Sequence, residues 1–173
     1  MGIMTVQITN AQREAPVSTA RMTRLARRAV RRLGMREPGR LAITFIGQHR
    51  LRALNRRFLR RDLPTDVLSF RYDDEPIVGD ILIAPAQARA YARRHGIPYA
   101  EELARYLVHG LLHWLGHLDS TPQQRRNMRQ REDDLLAACG VLTSRDRRQG
   151  TGDKRTRKNP LSPVSRLLSQ ECD

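Results

Sequence analysis

Residues 107–119 read Leu107-Val108-His109-Gly110-Leu111-Leu112-His113-Trp114-Leu115-Gly116-His117-Leu118-Asp119, the run around which the rest of the chain can be arranged. They close the most apolar helical segment of the chain, a helix expected over 99–115 at the centre of the domain. His109 and His113 stand at i and i+4, so both imidazoles share one face with Cβ atoms about 5–6 Å apart. That separation lets one nitrogen of each reach a single metal ion at about 2.0–2.1 Å. Gly116 can take a left-handed conformation and end the helix. The chain can then turn back and bring Asp119 or His117 over the same ion. Three protein ligands with an open fourth position are the arrangement of a catalytic zinc. A His-x-x-x-His pair alone is common in helices by chance. Here three histidines crowd into 109–117 beside apolar neighbours, where each unsatisfied buried polar group costs about 1–3 kcal/mol. A shared metal removes that cost.

Upstream, residues 3–9 alternate apolar and polar like a strand. Ser18 caps a helix whose apolar positions are Met22, Leu25, Ala26, Ala29, Val30 and Leu33, stopped at Gly34. Residues 41–47 read as a strand and 48–58 as a short helix. Two more strands are expected at 67–70 and 80–84, the second entered through Gly79. Helices follow at 86–95 and 99–115. A last helix opens at Thr121-Pro122, with Gln124 placed for a capping box, and turns Met128, Leu135, Leu136 and Cys139 inward before Gly140. This interleaving implies one α+β domain: a small mixed sheet packed with about five helices in one layer, the metal site on a central helix.

The chain has 173 residues, 39% of them apolar, which suits one core of good size. Its net charge is +14 and its isoelectric point about 11.3, which favours a polyanionic partner, RNA or DNA ahead of a membrane. No apolar run approaches the roughly 20 residues that span a bilayer, and the N-terminus lacks the pattern of a secretory leader. Cys139 and Cys172 form neither a metal pair nor a disulfide framework, which fits a cytoplasmic protein. Residues 1–143 read as the domain. Residues 144–173, rich in Gly, Pro, Ser and Arg, read as a disordered basic tail. The tail carries eight Lys or Arg against four Asp or Glu, so most of the positive charge belongs to the domain itself. Arg21, Arg24, Arg27, Arg28, Arg31 and Arg32 crowd the polar faces of one helix without an interleaved acid. They form either a solvated face or a phosphate-contacting surface.

The spacing of 109–119 resembles the zinc-protease motif His-Glu-x-x-His-x-x-Gly-x-x-His, but Gly110 stands where the catalytic Glu belongs. A peptidase of that type would lack its general base. The run is more similar to the YbeY family of zinc-dependent endoribonucleases, whose motif is close to His-Gly-x-Leu-His-Leu-x-Gly-Tyr-Asp-His. His109, Gly110, Leu112, His113 and Gly116 match it in place. Leu54-Asn55, Phe58, Asp62 and Pro64-Thr65-Asp66-Val67-Leu68-Ser69-Phe70 match a second signature, and Gly79-Asp80-Ile81 a third. The resemblance spans roughly residues 20–140.

It implies a single-strand-specific, metal-dependent endoribonuclease of ribosomal RNA, acting in 16S 3′-end maturation and ribosome quality control. One Zn2+ per chain is the implied cofactor, and ribosomal RNA and the small ribosomal subunit are the implied partners. His109 and His113 are the first two implied ligands. The family's third histidine is Asp119 here, and a carboxylate oxygen is an acceptable zinc ligand at about 2.0–2.2 Å. His117 is the alternative. It lies eight residues after His109, whereas both motifs close their site at ten. The family also has an arginine directly after the aromatic of its Asn-x-x-Tyr/Phe segment. Leu59 stands there, so Arg60 and Arg61 are expected to take its catalytic role. Arg57, Arg60, Arg61, Arg27 and Arg31 are expected to contact RNA. Ser69 or Thr65 would lie near substrate. Asp66 would cap a turn, Asp80 would bond at a strand end or support a ligand histidine, and Trp114 would be core. Two other classes remain: a metal-dependent hydrolase of another bond, such as a peptidase, and a non-catalytic RNA-binding assembly factor with a structural zinc. A fourth protein ligand would favour the last.

Overall fold

Four strands in the order β1-β2-β4-β3 form the sheet that carries the helices. In this computed structural model, residues 4–35, 38–60, 62, 64–72, 77–144 and 146 are described. Arg61 and all but two residues of the expected tail lie outside them. The elements run β1 (Met4–Asn10), α1 (Thr19–Arg32), β2 (Gly39–Phe45), α2 (Gln48–Leu59), β3 (Val67–Arg71), β4 (Ile77–Ile83), α3 (Pro85–His95), α4 (Tyr99–Trp114) and α5 (Pro122–Ala138). β1 pairs with β2 and β2 with β4 in parallel, while β3 returns antiparallel along β4, so the sheet is mixed.

The local signals act as their chemistry dictates. The Ser18 hydroxyl accepts from Arg21 N–H to start α1. Thr121 and Gln124 complete a reciprocal capping box at α5. β2 starts and ends two residues earlier than the pattern suggested, because Gly47 serves as the N-cap of α2. β4 begins at Ile77 instead of after Gly79. Gly79 lies inside the strand because a Cβ there would collide with the Trp114 indole nitrogen and stand 2.5 Å from the Phe70 carbonyl oxygen.

α4 is the hub: 13 of its 16 residues are buried. It lies on the β3–β4 face that presents Val67, Ile81 and Ile83, with α1, α3 and α5 packed around it. The closeness comes from Gly110, where an added Cβ would stand 2.6 Å from Ile81 Cγ2 and 3.0 Å from Val67 Cγ1. The Ser69 hydroxyl donates to the Gly110 carbonyl at 2.9 Å and ties helix to strand. The expected single layer of helices is corrected by α2, which covers the opposite face with Leu51 and Leu54 against Leu68, Phe70 and Leu82. β3 and β4 are apolar on both faces, so both need cover.

Candidate metal centre

α4 ends in a Schellman turn: Gly116 N–H donates to the His113 carbonyl and His117 N–H to the Leu112 carbonyl, with Gly116 at φ +90°. The turn sends the chain back across the helix end, and Asp119 arrives buried beside the two histidines. Asp119 Oδ2 stands 3.8 Å from His109 Nε2 and 3.7 Å from His113 Nε2. One ligand atom from each of the three residues falls within 4.8 Å of the others, so the group can hold a metal ion.

The rings are fixed from behind. His109 Nδ1 lies 2.8 Å from Glu132 Oε1, and His113 Nδ1 lies 2.9 Å from the His117 carbonyl oxygen. Both partners only accept, so each Nδ1 carries a hydrogen, and in the neutral imidazole that a metal requires it is Nε2 that turns its lone pair to the centre. His109 Nε2 and Asp119 Oδ2 are buried with no hydrogen-bond partner. Two imidazole Nε2 atoms and a carboxylate oxygen converge here, a donor set that can hold a cation once His109 gives up its second proton. Nitrogen and oxygen donors suit zinc.

Glu132 sets the charge balance. Burial raises its carboxyl, but the hydrogen bond and charge of His109, with Arg105 and Arg129, outweigh burial and bring it to about 2. Burial likewise lowers the His109 imidazole, and Glu132 reverses this and lifts it to about 9. For Asp119, burial acts upward, but the two imidazoles hold the carboxyl below its ordinary value. Arg105, itself buried, bonds Glu132 at 3.0 Å and Asp133 at 2.8 Å, anchoring the support beneath the site. The sequence reading did not single out Glu132 or Arg105. A signal was present: Glu132 occupies the inward stripe of α5, four residues after Met128 and three before Leu135. A carboxylate there needs a buried partner.

A family model described as Endoribonuclease YbeY matches residues 7–140. The chain belongs to the YbeY endoribonuclease family. An Endoribonuclease YbeY of Anaeromyxobacter dehalogenans is 32% identical over 92% of this chain and 87% of its own. Another, from Carboxydothermus hydrogenoformans, is 33% identical over 78% of this chain and 97% of its own. The solution structure of a Thermotoga maritima protein shares the fold, with a TM-score of 0.56 at 18% identity over 90% of this chain and all of that one.

Of the residues matched to the YbeY motifs, the structure gathers His109, His113 and Asp119 and leaves the His117 ring out of the group. His117 contributes its carbonyl oxygen instead. Asp80 accepts from the Tyr72 hydroxyl at 2.9 Å and supports neither histidine. Asp66 Oδ1 accepts from Val67 N–H, capping the turn into β3. Thr65 bonds the Val67 carbonyl, so it acts locally. Trp114 is core, with the Arg71 guanidinium 4.6 Å above its ring. Arg60 ends α2 in a left-handed conformation at φ 56°, exposed and without an ion pair among the described residues. Leu59 beside it is 51% exposed, and Arg57 sits 5.5 Å over the Phe58 ring. Arg27 and Arg31 are exposed on α1. Among the described residues, no helix is long and apolar enough to cross a membrane.

Proposed function

We propose that the protein is a zinc-dependent, single-strand-specific endoribonuclease of ribosomal RNA. It would act on the small ribosomal subunit in the cytoplasm, in 16S 3′-end maturation and ribosome quality control. His109, His113 and Asp119 hold one Zn2+. When bound, the ion supplies a Lewis acid that polarises a phosphoryl oxygen and acidifies a water. Glu132 and the His117 carbonyl keep both imidazoles in the tautomer that presents Nε2. Arg60 and Arg61 bind the phosphates flanking the cut and stabilise charge that develops on the phosphoryl oxygens. Arg57, Arg27 and Arg31 hold RNA farther out, and the basic tail of 144–173 adds phosphate affinity.

The observation that carries this reading is the convergence of two Nε2 atoms and one carboxylate oxygen, with both Nδ1 atoms already bonded. Membership of the YbeY family supplies the reaction class. Two features oppose the other classes. The Cβ direction at residue 110 points into Ile81 and Val67, so no general base can stand there for a peptidase. The group has three side-chain ligands among the described residues, which suits an open catalytic site better than a closed structural one.

The test is incubation of the zinc-loaded protein with structured ribosomal RNA, with and without chelator. Cleavage in single-stranded segments should stop with chelator and return with added zinc. Full cleavage by the metal-free protein would refute the zinc assignment. Binding without cleavage by the zinc-loaded protein would favour the assembly-factor class.

A further inference from the structure

α1 and α5 both end in Schellman turns, at Gly34 and Gly140, and their C-terminal ends lie side by side. Between them opens a cavity of about 490 Å³ lined by Arg28, Arg31, Arg32, Ala138, Cys139 and Gly140. Arg28 Nη1 donates to the Cys139 carbonyl at 3.1 Å and is pinned there. Each helix end contributes only about half a negative charge, whereas the cavity holds three full positive ones. No carboxylate pairs with these arginines among the described residues. Guanidinium groups left without a counter-charge in a concave site offer planar forks that match a phosphate group.

We propose that this cavity binds a backbone phosphate of the RNA away from the bond being cut. The choice of ligand rests on the endoribonuclease reading. α5 links the two sites: Cys139 follows Glu132, the residue behind His109, by seven positions, about 10 Å at 1.5 Å per helical residue. An RNA strand engaged at both points would form its second contact at a raised effective concentration.

The experiment measures binding of a labelled, nuclease-resistant 2′-O-methyl RNA of about 12 nucleotides to the zinc-loaded full chain, by fluorescence anisotropy across a salt series. Arg31→Gln with Arg32→Gln removes two guanidinium groups on an exposed helix face and spares the Arg28 bond. Each phosphate contact on a single strand contributes about 0.7 to the slope of log affinity against log salt. The double variant, losing one phosphate contact, should therefore lose about 0.7 in slope and bind at least about fivefold more weakly at low salt. Arg93→Gln with Arg94→Gln on the exposed face of α3 removes the same net charge elsewhere and should change the slope much less.

An unchanged slope in the first variant, or an equal loss in the second, would overturn the proposal. So would binding of millimolar inorganic phosphate that requires Arg31 and Arg32 yet leaves RNA affinity unchanged, which would mark a free-anion site. A wild type that binds with the expected slope yet never cuts ribosomal RNA would sink the enzymatic reading and leave the cavity standing. A wild type that cuts RNA while the first variant binds normally would do the reverse.

Discussion

Gly110→Ala is the most direct probe of how the helix that carries both histidines meets the sheet. The new Cβ would sit 2.6 Å from Ile81 Cγ2 and 3.0 Å from Val67 Cγ1. Both are branched side chains, Ile81 fully buried and Val67 nearly so, and neither has a flexible end to swing away. α4 must therefore lift from β3–β4. Forcing a methyl into a filled core costs about 1–3 kcal/mol. The better helix propensity of alanine returns up to about 1 kcal/mol. The net expectation is a loss of about 1–2 kcal/mol, seen by calorimetry of the metal-free protein as a Tm lower by about 2–8 °C. The same displacement moves His109 and His113 away from Asp119 and Glu132, so zinc affinity should fall with stability. A Gly110→Ala protein as stable as the wild type, or more so, would show that the close approach does not govern the packing. Gly110→Glu should be worse still and should gain no peptidase activity, because its carboxylate would be driven into Ile81.

Asp119→Ala should deplete zinc and activity together, while His117→Ala should keep most of the metal because its backbone carbonyl survives; metal analysis that reverses this order would misplace the third ligand. Zinc binding at pH 7 should release about one proton, because Glu132 lifts metal-free His109 to about 9 and the ligand must be neutral. Titration calorimetry in buffers of different ionisation heat reads that proton, and Glu132→Gln should release clearly less. In the metal-free protein, the raised His109 contributes stability below its unfolded pKa near 6.5 that fades as pH rises to about 9. The depressed Glu132 contributes stability above about 4.5 that fades as pH falls to about 2. Glu132→Gln should therefore flatten the pH profile of Tm, and a profile unchanged by it would show that the pair does not couple. Charge reversal at Arg60 should cut cleavage by about tenfold or more while bound zinc and Tm stay at wild-type values; normal cleavage would remove Arg60 from the phosphate-holding role.

Local chemistry is what a sequence declares most directly. The His109–His113 face follows from the 3.6-residue period, the end of α4 from a glycine able to take positive φ, and the start of α5 from the Thr121–Gln124 box. Each is an interaction within one or two helical turns, so neighbours in the chain suffice to determine it. The boundaries of β2 and β4 were less legible because Gly47 and Gly79 read as the same residue while meeting different demands. Gly47 starts a helix, and Gly79 makes room for Trp114, an aromatic 35 positions away in the chain. Gly110 was legible as a missing catalytic base and not as a packing contact, since its neighbours Ile81 and Val67 belong to distant strands.

The order of the strands, the helix on the far side of the sheet and the support of the metal centre were decided only in three dimensions. Glu132 reaches His109 across 23 residues of sequence, and it does so because α5 packs along α4 with Arg105 between Glu132 and Asp133. The cavity between α1 and α5 joins Arg28 to Cys139 over 111 residues, and nothing in the arginine spacing of α1 indicates which face meets another helix end. Chain neighbours suffice to say which donor atoms two helical turns and a reversing glycine could assemble. What holds those donors in place depends on long-range packing, because buried charge is stabilised by whichever partner packing brings near, and that choice is made by the whole core at once.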